Sequence, residues 1–166
     1  MEIALESARR ERLVTTASVA RALSSAGARG RGGADPLQAL LTALGTQPPC
    51  ESALEVLTAR LLRASDLPAP QRQVEVVAFG SAYRLDFAWP AEGVALECDG
   101  RKWHELDFER DRRRWSAITA QTGYRFVWAT WQAVNDTPER IVAELRELCS
   151  RRPTTRRSAL RPAPAA

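Results

Sequence analysis

One histidine, one lysine and three cysteines in 166 residues leave few of the side chains from which soft-metal and nucleophilic sites are built. Cys50, Cys98 and Cys149 are odd in number, far apart and free of any CxxC spacing, and His104 is the only imidazole. That excludes a disulfide framework and a Cys/His zinc site. No nucleophile-elbow pattern is present, and His104 has no serine or cysteine beside it, which argues against a serine or cysteine hydrolase. No apolar run approaches the roughly 18 to 20 residues that span a bilayer. The opening MEIALESARRERL lacks the apolar block of a signal peptide, so a soluble, cytoplasmic protein with no membrane partner is expected. No internal repeat is found.

The net charge of +4 is unevenly placed. Residues 1 to 50 carry 6 basic and 4 acidic groups, residues 151 to 166 carry 5 arginines and no acid, and the middle segment, with 13 basic and 16 acidic groups, stands at −3. The basic excess therefore belongs to the tail, and affinity for nucleic acid cannot be inferred from net charge alone. The middle segment poses the sharper problem of carboxylates set in apolar strands.

The chain divides by its punctuation into a helical extension and linker over 1–47, a main domain over 48–150 and a disordered basic tail over 151–166. ALESARRERL and ASVARALSSAG predict two short helices, with Thr16 as a cap for the second, and ARGRGG follows as a linker. Asp35-Pro36 opens a further helix, with Asp35 as cap, Pro36 first in the helix and Gly45 beyond its end. Gln47-Pro48-Pro49 breaks the chain before SALEVLTARLLRAS, whose Leu54, Leu57, Leu61 and Leu62 form one helical stripe. QVEVVAF, YRLDFAW and GVALECD then read as strands, joined by short turns at Gly80-Ser81 and Pro90 to Gly93 that favour antiparallel neighbours. From Asp107 the period is helical until Gly123. RFVWAT is expected as a buried strand, and TPERIVAELRELCS as a last helix with Thr137 as cap and Pro138 at its first position. The fold class expected is α/β, a mixed four-stranded sheet flanked by helices with a small helical N-terminal extension.

Side chains two apart on a strand share a face, so Glu97 and Asp99 point one way while Leu96 and Cys98 point the other. Asp86, on the preceding strand, comes near their level through the Pro90 to Gly93 turn. Several carboxylates at the end of an apolar sheet are costly unless a cation or shared protons compensate them. An all-oxygen set suits Mg2+ (or Mn2+) rather than Zn2+. The structural alternative makes Asp86 a strand-end residue and Asp99-Gly100 a hairpin turn; it does not account for Glu97 inside the apolar run. His104 is the natural candidate for proton transfer near neutral pH. Glu55 has two readings, the end of a capping box begun by Ser52 and a fourth carboxylate brought from a flanking helix. Arg84, Arg101, Lys102, Arg112 and Arg113, with Arg110 and Arg114 beside them, are candidate phosphate contacts, although ERDRRR is also an ordinary solvated helix start.

Taken together, RLDFAWP, VALECDGRKWH, FERDRRR and GYRFVWATWQAV resemble the very-short-patch-repair endonuclease-like proteins of the PD-(D/E)xK superfamily. The resemblance covers about Ser52 to Leu148. It implies a restriction-endonuclease-like core and a metal-dependent endonuclease hydrolysing DNA phosphodiester bonds. Asp86 is then the main metal ligand, Glu97 and Asp99 occupy the second acidic position and the one after it, and the Cys98 backbone carbonyl also reaches the metal. His104 matches the histidine that assists cleavage, and Glu55 the helix carboxylate. Where the superfamily carries lysine this chain has Asp99, and its one lysine, Lys102, lies further along. The alternative expectation is a catalytically inactive, nuclease-fold DNA-binding or antitoxin-like protein.

Overall fold

The computed structural model describes residues 1–26, 34–100 and 105–151, without the side chains of 105–110. The Arg/Gly linker, the tail from Arg152 on, and three candidate site residues, Arg101, Lys102 and His104, lie outside the described residues. The chain forms two units, Met1–Val56 and Leu57–Ala166, divided within the helix Ala53–Ala64.

The first unit holds α1 (Glu2–Arg10), α2 (Thr16–Ser25), α3 (Ala34–Leu44) and the start of α4 (Ala53–Ala64). Buried Leu5, Leu41 and Leu44 gather Val14, Val19, Ala20, Leu23, Leu37 and Leu40 around them. α1 ends earlier than its sequence suggests, because Arg12 takes a left-handed φ of 59° and reverses the chain. The cap of α2 is Thr15, not Thr16: its side chain accepts from Ser18 N at 3.0 Å, and Ser18 Oγ accepts from Thr15 N at 2.9 Å. Asp35 lies in the first turn of α3 rather than at its cap, since the helix begins at Ala34. Gly45 follows α3 with φ 52°, a conformation that a Cβ would strain.

The second unit runs β1 (Gln71–Ala78), β2 (Ser81–Trp89), β3 (Val94–Asp99), α5 (Glu105–Thr122), β4 (Arg125–Thr130), α6 (Trp131–Asp136) and α7 (Pro138–Ser150). The sheet order is β1-β2-β3-β4. β1 with β2 and β2 with β3 are antiparallel, joined by the two short turns; β4 is parallel to β3, reached through α5. This is the mixed four-stranded sheet with flanking helices expected from the sequence.

α5 packs against β1, where Val76, Ala78, Leu85, Ala88, Ala95, Ile118 and Tyr124 form a buried cluster. α7 packs against β3 and β4, with Ile141 and Leu145 buried. Phe87, Leu85, Leu96 and Ile118 are each at most 1% exposed, and burying each such side chain contributes roughly 1.5 to 3 kcal/mol. Two expectations are corrected. β4 is not buried throughout, because it is the edge strand of the sheet and leaves Trp128 40% exposed. α6 has no counterpart in the sequence reading, although Thr130 caps it by accepting from Ala133 N at 3.1 Å. At α7, Pro138 does stand at the helix start, but Thr137 makes no side-chain cap bond.

Candidate functional site

β3 carries a charged residue into the centre of an apolar run, and the sheet register decides what it meets. Phe87 pairs with Leu96 and Ala88 with Ala95, so one step further Asp86 stands across from Glu97. The two are tied reciprocally: Cys98 N donates to Asp86 Oδ2 at 2.9 Å, and Asp86 N donates to Glu97 Oε1 at 3.3 Å. Glu97 is 5% exposed, which demands compensation for its charge. Arg114 of α5 supplies it, with Nη2 3.6 Å from Glu97 Oε2. The same guanidinium donates to the carbonyl of Arg84 on β2 and lies with its Cζ 4.3 Å from the Trp115 ring centroid, while its Nε is buried without an acceptor.

Alternation along β3 holds as expected. Glu97 reaches α5 on one side of the sheet, whereas Cys98 Sγ donates to Thr58 Oγ1 of α4 at 3.4 Å on the other. Asp99 ends β3, half-buried, and pairs with Thr130 of β4 in the parallel ladder. Asp99-Gly100 therefore does not turn a hairpin; it leads into the crossover to β4. The acidic pair and Asp99 lie towards the carboxyl ends of the two parallel strands, where open α/β sheets bind their ligands.

The ladder between β1 and β2 is continuous from Gln71 to Ala78 except at Gln73. Gln73 has a left-handed φ of 53°, and the register would set it opposite Asp86. A non-glycine residue in that conformation costs on the order of 1 kcal/mol and interrupts the ladder at the level of the acidic pair.

Among the sequence-predicted residues, Asp86 and Glu97 are brought into direct contact. Asp99 shares their strand end, but among the described residues no group of three or more His, Cys, Asp or Glu side chains is gathered closely enough to hold a metal ion. Asp86 Oδ2 accepts from a backbone amide, and Glu97 Oε2 lies beside Arg114. Glu55 belongs to the first unit, where Ser52 Oγ caps α4 by accepting from Glu55 N at 3.1 Å and the Glu55 side chain reaches back to accept from Glu51 N, one residue before the cap, at 2.8 Å. Arg84, Arg112 and Arg113 are exposed, and Asp111 is half-buried. Arg114 was one of several neighbouring arginines in the sequence; its role as the partner of Glu97 depends on the rotation of α5 over the sheet.

Fold and site together define an α/β protein with a mixed four-stranded sheet bearing a cross-strand acidic pair clamped by an arginine. No protein-family model matches the chain. No solved structure matches it either. It is similar to two proteins of Mycobacterium tuberculosis, Uncharacterized protein MT2308 (strain CDC 1551 / Oshkosh) and Uncharacterized protein Rv2248 (strain ATCC 25618 / H37Rv). Each is 31% identical over 98 residues, a match covering 57% of this chain and 36% of the relative. Among the described residues, no helix is long and apolar enough to cross a membrane.

Proposed function

We propose that the protein is a metal-dependent endonuclease-like protein that hydrolyses DNA phosphodiester bonds on a restriction-endonuclease-like core. The supporting observation is the Asp86–Glu97 pair, joined across β2 and β3 beside the carboxyl ends of parallel strands. The observed order of helix, three strands, crossover helix, strand and helix is the one expected from the pattern along the chain.

The donor set is made of oxygen alone, which fits Mg2+ (or Mn2+) by hardness. Asp86, Glu97, Asp99 and the Cys98 carbonyl are the residues that would hold it. When bound, such an ion supplies Lewis-acid polarisation of the phosphate and activation of the attacking water. Glu97 would turn from Arg114 to hold the cation in this reading, and the exposed Arg84, Arg112 and Arg113, with Arg101 and Lys102, would bind the phosphates flanking the cut. His104 accepts or returns the proton that travels from the water to the departing sugar oxygen as one phosphorus–oxygen bond forms and another breaks.

The test is cleavage of supercoiled and linear DNA by the purified chain with Mg2+ or Mn2+, alongside Asp86→Asn. Cutting by the parent and none by the variant is expected; a parent inert with both metals overturns the endonuclease reading.

A second reading, a non-catalytic DNA-binding or antitoxin-like protein on the same fold, is favoured by one observation. Arg114 already stands beside the Glu97 carboxylate, with Nη2 3.6 Å from Oε2. Calorimetry with Mn2+ separates the two, since only the endonuclease reading requires a heat of binding that Asp99→Ala diminishes.

A further inference from the structure

β4 presents an aromatic ring beside the acidic pair. Trp128 is the ladder partner of Glu97, and side chains of paired residues on parallel strands project to the same face about 4.8 Å apart. Three rings brace one another there. Trp115 of α5 meets Trp128 edge-on at 4.6 Å between centroids, Phe126 lies stacked against Trp128 at 6.1 Å, and Trp115 and Phe126 are 5.2 Å apart. Trp115 and Phe126 are half-buried, yet Trp128 remains 40% exposed.

A large ring left in water is ordinarily unfavourable, but one already fixed by its neighbours loses little conformational freedom when a flat ligand covers it. Charge on the elements that meet at the site selects the kind of ligand. Arg112 and Arg113 are exposed on the helix that carries Trp115, and Arg84 is exposed on the strand that carries Asp86. A flat, π-faced group attached to an anionic backbone satisfies both features, and that is the chemistry of an unstacked nucleotide.

We propose that Trp128 is a stacking platform for a nucleobase of a DNA strand that runs past the Asp86–Glu97 pair. The proposal rests on the DNA-directed reading above, and it does not require cleavage. A base held on Trp128 fixes the register of the strand over the carboxylates, so the residue acts in binding and positioning rather than in the chemical step.

The probe is a single-stranded oligonucleotide containing 2-aminopurine, titrated with the full chain in EDTA so that no cutting intervenes. The parent protein quenches the fluorescence on binding. Trp128→Ala is expected to bind about tenfold more weakly, in line with alanine removal of one base–aromatic stack, and to lose the quenching. Trp128→Phe restores most of both, and thermal melting of each variant establishes that it is folded. The proposal is overturned when the parent does not bind, when folded Trp128→Ala binds and quenches like the parent, or when that variant changes only the mass of the particle in sedimentation, which would make the ring a self-association contact. Cleavage with Mg2+ or Mn2+ is a separate readout: quenching that depends on Trp128 without any cutting retains this inference and removes the endonuclease reading.

Discussion

Asp86 and Glu97 each hold the other's strand: Asp86 accepts from the amide next after Glu97, and Glu97 accepts from the amide of Asp86 itself. Two carboxylates thereby continue the β2–β3 connection one step beyond Phe87 and Leu96. The arrangement places like charges side by side at low exposure, and the backbone amides and Arg114 make it tolerable.

Substituting Asp86 by Asn separates charge from shape. The amide oxygen still accepts from Cys98 N, so unfolding stability is expected to change by no more than about 1 kcal/mol. Mn2+ binding, measured by calorimetry, falls at least tenfold in the endonuclease reading, because a neutral amide replaces a carboxylate ligand. Full retention of that binding would remove Asp86 from the metal site.

Arg114 and Glu97 should behave as a coupled pair. Arg114→Met removes the guanidinium 3.6 Å from a carboxylate that is 6% exposed, whereas the Arg114 side chain itself is 25% exposed. Solvent access on that side and the 3.6 Å separation place the expected loss near the lower end for a broken buried pair, about 2 to 3 kcal/mol in urea unfolding. With Glu97→Gln as the second substitution, the double variant should be more stable than the sum of the two losses predicts by about 1 kcal/mol. Strict additivity would show that the two charges do not interact.

The strands were legible because their apolar runs are short and the turns between the first three carry Gly or Pro. All four were placed to within two residues of their observed limits at each end. Glu97 was legible as a charge where the pattern required an apolar residue. Its partner was not, since Arg112, Arg113 and Arg114 differ only in helical angle, and that angle becomes fixed only when Trp115 and Ile118 pack on the sheet. Trp128 was hidden for the same kind of reason: RFVWAT has the composition of a central strand, and only the sheet order makes it an edge. The left-handed Gln73 leaves no mark in the sequence, because nothing about a glutamine predicts a positive φ. Thr15 and Thr16 are indistinguishable by residue type, and the cap goes to the one whose backbone is extended.

Tyr124 gives a prediction with a defined pH window. Its hydroxyl is buried with no hydrogen-bond partner, so Tyr124→Phe is expected to stabilise the fold by about 1 kcal/mol. Burial first, and then the Glu92 carboxylate, raise the phenol above its ordinary 10.0. A folded pKa raised above the unfolded one contributes stability that is complete below pH 10 and lost as the pH climbs through the folded value. The parent should therefore lose stability above pH 10, and Tyr124→Phe should lose less over the same range. Cys149, raised by burial and then by Glu92, adds a similar decline beginning near 9.0. Urea midpoints measured from pH 8 to 11 test both, and parallel curves for parent and Tyr124→Phe would show that the phenol is not responsible.

The β1–β2 turn offers a stabilising substitution of a different origin. Ala78 pairs with Ser81, so Phe79 and Gly80 form a two-residue connection, and both have positive φ, 48° and 79°. Such a turn matches the twist of its strands and favours Asn-Gly, whereas phenylalanine pays for its Cβ in the left-handed region. Phe79 is also 70% exposed, so replacing it removes no core packing. The bond from Phe79 N to Gln121 Oε1 involves the backbone and is kept. Phe79→Asn is thus expected to raise stability by about 1 kcal/mol and, in the DNA-directed reading, to leave DNA binding unchanged. If the substitution destabilises the protein, the ring is supporting the hairpin despite its exposure; if DNA binding weakens while stability rises, the turn belongs to the binding surface.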